Sequence, residues 1–487
     1  MSLFRCLGGK SMRKTKIICT LGPAVDDEAS MRRLILAGMN AARFNFSHGT
    51  HESHLAQLNK LKRVRDELGL PVASILDTKG PEIRIRSFSV PSVTLKTGDH
   101  FILTTEDVAG DASRVSVTYP KLHEELTAGC RVLIDDGLVE LVVDEIKGQD
   151  IHCTVRSGEV LSSNKSINIP DVSIPLPSLT EKDENDIKFA VEQDFDFIAA
   201  SFVRKARDVE DIRAVLKKYG GEDIRIIAKI ENREGVDNLD EIIAAADGIM
   251  VARGDLGVEI PAYEVPVLQK KMIAKTVHQG KPVIIATQML DSMIRNPRPT
   301  RAEVSDVANA VYDGASCVML SGETASGKYP LEALKTMVDT VNAAEASVNY
   351  WGRFQKAGVP AVKSISDAIT HTCCLTAMDL NAKAILAATS SGITARTIAR
   401  FKPACPIAAL TMTEKVRRQL AISWGVYPYL TGTVDSTDRL FSMAAECARK
   451  EGLVNPGDTV VITAGLPIGQ SGSTNLIKAH VVGEPVL

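Results

Sequence analysis

The sequence contains no apolar run approaching the ~18 residues that a bilayer-crossing helix needs. Its nine cysteines are odd in number and include no CxxC pair. That excludes a disulfide framework read from spacing and fits a reducing, cytoplasmic setting. Cys19 and Cys317 lie inside apolar runs, as small core residues do. Neither sign of charge dominates. A net charge of −3 gives no electrostatic reason to expect nucleic acid or an anionic membrane as partner. There is no low-complexity tract, and no repeat beyond an alternation of strand-like and helix-like segments. The opening "MSLFRCLGGKSMRKTK" is basic but lacks the apolar centre and small-residue cleavage site of a secretory signal. Residues 1–15 therefore read as a disordered lead-in.

A chain of 487 residues with 45% hydrophobic and 24% charged residues has material for two to four globular units. From Lys16 to about Ser347, eight β-rich runs alternate with helix-period segments: "KIICTLG", "AARFNFS", "PVASILDT", "FDFIAASFV", "RIIAKIE", "GIMVARG", "PVIIATQ" and "SCVMLSG". Eight such units point to a (β/α)8 barrel over 16–80 and 177–348, with a doubly wound open sheet as its rival. The interruption, residues 81–176, has short alternating runs and "TGD" and "DDG" turns, the texture of an inserted, β-barrel-like lid. Residues 349–487 carry four further strand-like runs separated by helical segments, the pattern of a small doubly wound α/β domain.

Barrel chemistry collects at the C-terminal ends of strands. The second strand brings Arg43, Asn45 and Ser47 at i, i+2 and i+4, on one face. The third ends in Asp77-Thr78, with Arg84 seven residues on. The fifth carries Lys229 and Glu231 side by side, although a buried strand has little reason to hold either. The sixth ends in Gly254-Asp255, the seventh in Thr287-Gln288 and the eighth in "SGET". Glu231 and Asp255 on neighbouring strands form a hard-oxygen pair with no Cys or His nearby, which favours Mg2+ or Mn2+. A divalent metal ringed by Arg43, Arg84 and Lys229, with no nucleophile–His pair, is the equipment of phosphoryl transfer. On this reading Lys229 and Glu231 address a third party rather than each other.

Other signals are weaker. "GETASGKY" matches a P-loop until Tyr329-Pro330 stands where Ser or Thr is needed. His48, His51 and His54 do not converge on a helix and read as surface histidines at a helix start. The Arg-Gly-Asp of "ARGDLG" does not suit adhesion in a chain of this composition. In the C-terminal region, "TSSGIT" (Thr389, Ser390, Ser391, Gly392 and Thr394 among its residues) lies between strand and helix, where hydroxyls and N–H groups suit a phosphate. The Gly/Ser-rich "GQSGSTN", with Ser471, Gly472 and Ser473, would close over it as a regulatory anion site.

"CTLGPA", "RFNFSHG", "DTKGPEIR", "IIAKIEN", "MVARGDLGVEIP", "ATQMLDSM", "NPRPTRAEVSDVANAV" and "VMLSGETASGKYP", in this order, resemble the pyruvate kinase family over nearly the whole chain. The resemblance implies phosphoryl transfer from phosphoenolpyruvate to ADP. It assigns Mg2+ to Glu231 and Asp255, and K+ to Asn45, Ser47, Asp77 and Thr78. Lys229 would meet the phosphoryl group in flight. Arg43 and Arg84 would clamp phosphates, and Gly254, Asp255 and Thr287 would receive the substrate carboxylate. Pro23, Asn45, His48, Arg84 and Lys165 would serve the nucleotide, Lys165 arriving from the lid. Glu82 implies dependence on K+, because members with lysine there tend to work without it. Ser166 stands after Lys165 where glycine is common. The resemblance also implies a homotetramer and a possible phosphorylated allosteric effector, and Glu451 near that loop leaves a monophosphate as open as a sugar bisphosphate. Two other classes compete with this one: a Mg2+-dependent aldolase of pyruvate-like substrates, against which the inserted β-domain and the "RFNFS" cation face speak, and a non-catalytic metabolite sensor, against which the intact set of strand-end charges speaks.

Overall fold

A computed structural model describes residues 12–358, 364–467 and 474–485. The eight expected barrel strands are all present: Lys16–Thr20, Ala41–Asn45, Ala73–Asp77, Phe197–Ala200, Arg225–Ile230, Gly248–Ala252, Val283–Ala286 and Cys317–Leu320. They are parallel and paired in sequence order around a closed ring, the first strand meeting the eighth at Lys16–Cys317. Closure decides against the open sheet.

The strands are apolar on both faces because both are covered. One parity packs inside the barrel: Ile18, Ala41, Ile75, Ala199, Ile227, Met250, Ile284 and Met319. The other parity, including Phe44, Leu76, Ile226, Ile249 and Ile285, packs against the outer helices. Side chains two apart share a face. Arg43 therefore stands above Ala41, Asp77 above Ile75, and Lys229 above Ile227. The charges are the last members of the columns that fill the barrel. Ser/Thr caps fix where the outer helices start. Thr50, Thr180 and Thr300 each close a capping box on helices His51–Leu68, Glu181–Glu192 and Arg301–Asp313.

The insertion after the third strand is a seven-stranded sheet with a two-stranded ribbon. Its first and last strands meet through the Ile85–Val117 bridge, so the sheet rolls nearly shut around its own core of Ile83, Phe101, Leu103, Val132 and Leu141. Its one helix among the described residues, Leu122–Glu125, interrupts the expected all-β texture.

The C-terminal sheet has five strands, not the four expected. Ala384–Ala388, Ile407–Thr411, Val426–Leu430 and Thr459–Gly465 are parallel, and Thr474–Val481 adds an antiparallel edge. That edge, "TNLIKAHV", has an irregular burial pattern, which hid it from periodicity.

The expected lead-in is corrected at its end. Arg13 donates to the Gly38 carbonyl (2.6 Å), and the Lys14 and Thr15 N–H groups donate to the Glu345 carboxylate (2.8 and 2.6 Å). Residues 12–15 are thus part of the fold. Beneath the barrel, Arg418 meets the buried Asp196 at 2.8 Å and ties the C-terminal sheet to the strand floor. No helix among the described residues is long and apolar enough to cross a membrane.

Candidate active site

Four of the charged side chains raised by the strands form one buried network. Lys229 Nζ lies 3.1 Å from Asp77, 3.0 Å from Glu231 and 2.7 Å from the Ser201 hydroxyl. Arg43 Nε donates to the other oxygen of Asp77 at 2.6 Å. Burial opposes the charge of Lys229, but Asp77 and Glu231 outweigh it and hold the ammonium above the ordinary lysine range. Burial likewise works against Asp77, and Arg43 and Lys229 together keep its carboxyl below the usual value. Glu231 goes the other way. Burial pushes its carboxyl up to about 7, against the pull of Lys229 and with the help of Asp255. One oxygen of Glu231 accepts from the Phe202 N–H at 2.6 Å. The other, Oε1, is buried and accepts no hydrogen bond from any described residue. The expectation that Lys229 and Glu231 do not serve each other needs correcting: they are ion-paired here, without hydrogen-bond geometry.

Asp255 lies in the first turn of helix Arg253–Glu259, directly after the sixth strand. The Gly254 N–H donates to Thr287 Oγ1 at 2.7 Å, joining the sixth and seventh strand ends. Thr287 and Gln288 both have positive φ, 67° and 55°, which is rare for a β-branched residue. Arg253 holds this kink in place: it donates to the Ala286 and Thr287 carbonyls (3.2 and 2.7 Å) and is anchored by Asp306 at 2.7 Å.

Between barrel and lid runs a cleft of about 620 Å³. Eight carboxylates line it, Glu82, Asp136, Asp171, Glu231, Glu234, Asp237, Asp255 and Glu259, against two guanidiniums. Both guanidiniums are engaged, Arg204 by Asp208 and Arg233 by Glu264. Two of the eight acids have cationic partners beyond the lining, Glu82 in Arg84 and Glu231 in Lys229, and the cleft as a whole is acidic. On the lid side, Arg84 makes a two-pronged pair with Glu82 (2.8 and 2.9 Å), and Lys165 pairs with Asp135 at 2.9 Å. Burial, and then the nearby Asp255, raise the Asp136 carboxyl.

The barrel-domain model of pyruvate kinase matches residues 12–334, and the pyruvate kinase alpha/beta-domain model matches 367–480. The chain belongs to the pyruvate kinase family. A curated pyruvate kinase of Clostridium acetobutylicum is 49% identical over 97% of this chain and 100% of its own length. One from Geobacillus stearothermophilus is also 49% identical, over 97% of this chain and 81% of its own. A crystal structure of a pyruvate kinase from Cryptosporidium parvum superposes with a TM-score of 0.93 at 39% identity, covering 99% of this chain and 98% of that one.

Of the residues picked from sequence against the pyruvate kinase pattern, Arg43, Asp77, Lys229 and Glu231 share one network. Thr78 is joined to it through Ser201, and Gly254, Asp255 and Thr287 flank it. Asn45 is opposite Asp77 in the strand register. The second strand ends at Asn45, so Ser47 lies in the following turn, exposed, rather than on the strand face; its N–H bonds Asn45 Oδ1 (3.2 Å). Pro23 opens a short turn after the first strand, and the His48 side chain is exposed; neither touches the network. His54 is not a surface residue: its ring is buried and stacked on Phe46 at 4.1 Å. Nor does "SGET" present its acid to the cleft, since the Glu323 carboxylate accepts from the Leu290 and Ser321 N–H groups (3.0 and 2.7 Å). In the C-terminal loop, Thr394 is buried and bonded to the Thr474 hydroxyl (2.7 Å), and Thr389 accepts from the Gly392 N–H at 3.0 Å. Ser471, Gly472 and Ser473 lie outside the described residues.

Sequence reasoning missed Ser201, Phe202, Asp136 and Arg253. Ser201 directly follows the fourth strand, Phe197–Ala200, and the strand-end rule applied there would have found it. Phe202 acts through its backbone at φ 56°, which no residue type announces. Behind Ser201 and Phe202 sits Gly80, at φ 72°. A Cβ there would meet Ser201 Cβ and Phe202 Cδ2, each at 2.9 Å. Gly80→Ala is expected to cost ~1–3 kcal/mol of stability. It should also lower turnover about tenfold by shifting the Ser201 contact to Lys229. Thermal melts and steady-state kinetics on the same preparation check both effects.

Proposed function

We propose that the chain transfers the phosphoryl group of phosphoenolpyruvate to ADP, giving pyruvate and ATP. The observation that carries this reading is the Lys229 ammonium, held charged at the top of the barrel interior against Glu231 Oε1 at 3.0 Å. That oxygen and Asp255 suit a hard cation that keeps water or substrate oxygens in its remaining positions. No group of three or more His, Cys, Asp or Glu among the described residues suggests a closed metal site. Mg2+ or Mn2+ held by Glu231 and Asp255 would neutralise substrate charge in the acidic cleft. Lys229 stabilises charge on the phosphoryl group as it leaves and on the enolate left behind. Arg43 orients the phosphate. Gly254, Asp255 and Thr287 receive the substrate carboxylate, which leaves the Thr287 hydroxyl near the carbon to be protonated. Pro23, Asn45, His48, Arg84 and Lys165 receive the nucleotide. For Arg84 and Lys165 this requires exchanging Glu82 and Asp135 for phosphates.

K+ is assigned to Asn45, Ser47, Asp77 and Thr78, oxygen donors from adjacent strand ends. A homotetramer and an anionic effector at Thr389–Thr394 complete the proposal. Aldolase chemistry is not favoured, because the family match spans the inserted lid as well as the barrel. A coupled assay of pyruvate formation tests the reading: turnover is expected only with phosphoenolpyruvate, ADP and a divalent cation together. ADP-independent consumption of substrate would refute it. With Glu82 in place, exchanging K+ for tetramethylammonium is expected to lower turnover severalfold at fixed ionic strength. Equal rates in the two salts would withdraw the K+ assignment alone.

A further inference from the structure

The sixth and seventh strand ends are tied together by one side chain that the proposed chemistry does not use. Arg253, the residue after strand Gly248–Ala252, is partly buried and spends its guanidinium on four neighbours. Nε donates to the Ala286 carbonyl at 3.2 Å, and one terminal nitrogen donates to the Thr287 carbonyl at 2.7 Å and to Met289 Sδ. The other terminal nitrogen meets Asp306, 2.7 Å away on helix Arg301–Asp313. The two carbonyls belong to the peptide units on either side of the Thr287 Cα, so holding both fixes the φ and ψ of that residue. The conformation held is a costly one. Thr287 is β-branched and stands at φ 67°, with Gln288 after it at φ 55°. There the Thr287 hydroxyl accepts from the Gly254 N–H at 2.7 Å and donates to the Ala286 carbonyl at 2.6 Å. Arg253 and Gly254 are adjacent, so one dipeptide grips the seventh strand end by side chain and backbone together. A guanidinium suits this because its donors are spread over a plane, whereas a lysine ammonium acts from a single point.

We infer that Arg253 is a positioning residue for the substrate carboxylate, acting through Thr287 with Asp306 as its anchor. This role deepens the proposed function and rests on it. The donors of Arg253 are turned to two carbonyls, a thioether and Asp306 rather than to the substrate. What Arg253 supplies is the pre-set geometry of the Gly254 N–H and the Thr287 hydroxyl, the two neutral donors proposed to meet the carboxylate together. Released from the clamp, Thr287 relaxes toward negative φ and its hydroxyl leaves Gly254, so the carboxylate loses a partner. The residues proposed for the nucleotide lie on other elements and take no part in the clamp, so ADP binding should not respond.

Steady-state kinetics on the full chain with saturating Mg2+ test this role. Arg253→Lys is expected to raise the KM for phosphoenolpyruvate about tenfold and to lower kcat less, with the KM for ADP within about twofold of wild type. Asp306→Asn leaves the guanidinium in place but weakly anchored, and is expected to raise the same KM about threefold. Because the two residues act as one unit, the double variant should be no worse than Arg253→Lys. Asp306 is the more exposed member of the pair, so Asp306→Asn keeps the test decisive should Arg253→Lys fail to fold; Tm is read on every preparation. A residue that merely supports the fold would lower kcat through loss of active protein and leave both KM values unchanged, or raise them alike. An unchanged KM for phosphoenolpyruvate, an equal rise in the KM for ADP, or multiplied losses in the double variant overturns the inference. Wild-type turnover is measured first in the same assay. Its absence would fall on the catalytic reading, and this role with it; a working wild type beside unaffected variants would fall on this role alone.

Discussion

Lys229→Met is expected to reduce turnover on the order of 10³-fold while leaving the fold intact, an effect of about 4 kcal/mol on the transition state. Methionine keeps most of the stem and loses the charge. The loss is large because the neighbouring arginines do not take the ammonium's position beside Glu231: Arg43 is held against Asp77 at 2.6 Å, and Arg84 is paired with Glu82. The stability change is small because each partner that Lys229 leaves behind has another way to be satisfied. Asp77 keeps Arg43, and the Ser201 hydroxyl keeps the Thr78 carbonyl at 2.6 Å. Glu231, whose carboxyl burial already holds near neutrality, takes up a proton more readily once the ammonium is gone. A loss in kcat with Tm within a few degrees of wild type is the expected pair of readings. Near-full turnover in the variant would make Lys229 a structural cation and remove the basis of the proposed function.

The legibility of this protein divides along the same line as its chemistry. Eight strand-like runs and one β-rich interruption were readable because a buried parallel strand leaves an unbroken apolar signature, and closure follows from their number. The strand-end polar residues were readable for the same reason, since Lys229 and Glu231 are conspicuous within "IIAKIENREG". Contacts made by backbone or set by φ were not legible. The Phe202 N–H on Glu231, the paired positive φ of Thr287 and Gln288, and the Arg253 clamp on two carbonyls depend on chain geometry that residue type does not report. Polar residues that serve the fold were the opposite error. Glu323 and Thr394 carry the right chemistry and sit next to strand ends, but spend it on neighbouring N–H and hydroxyl groups. The edge strand Thr474–Val481 escaped because its polar and apolar residues do not alternate cleanly.

Glu231→Gln separates the metal binding proposed for this residue from the ion pairing it makes with Lys229. A glutamine carbonyl can still accept from the Phe202 N–H, so the strand end keeps its shape, but the amide neither neutralises Lys229 nor binds a hard cation well. If Glu231 serves chiefly to hold Mg2+ or Mn2+, the metal-free variant should melt at or above the wild-type temperature, because a carboxyl that burial pushes up to about 7 is costly to keep ionised at neutral pH. The sign follows from that upward shift: wild type sheds stability as pH rises from the ordinary carboxyl range, about 4.3, to the folded value of about 7, so the variant's advantage should grow from pH 5 to pH 7 and level off above. Adding metal should reverse the order. Wild type gains ~2.7 kcal/mol at a hundredfold excess over Kd, and the variant should gain little. Turnover is expected to fall on the order of 10³-fold at ordinary metal concentrations. Melting curves with and without Mn2+ at the two pH values read all of this directly. A metal-free Glu231→Gln that melts well below wild type, with its metal-linked gain preserved, would identify Glu231 as the partner of Lys229 and leave the cation to Asp255.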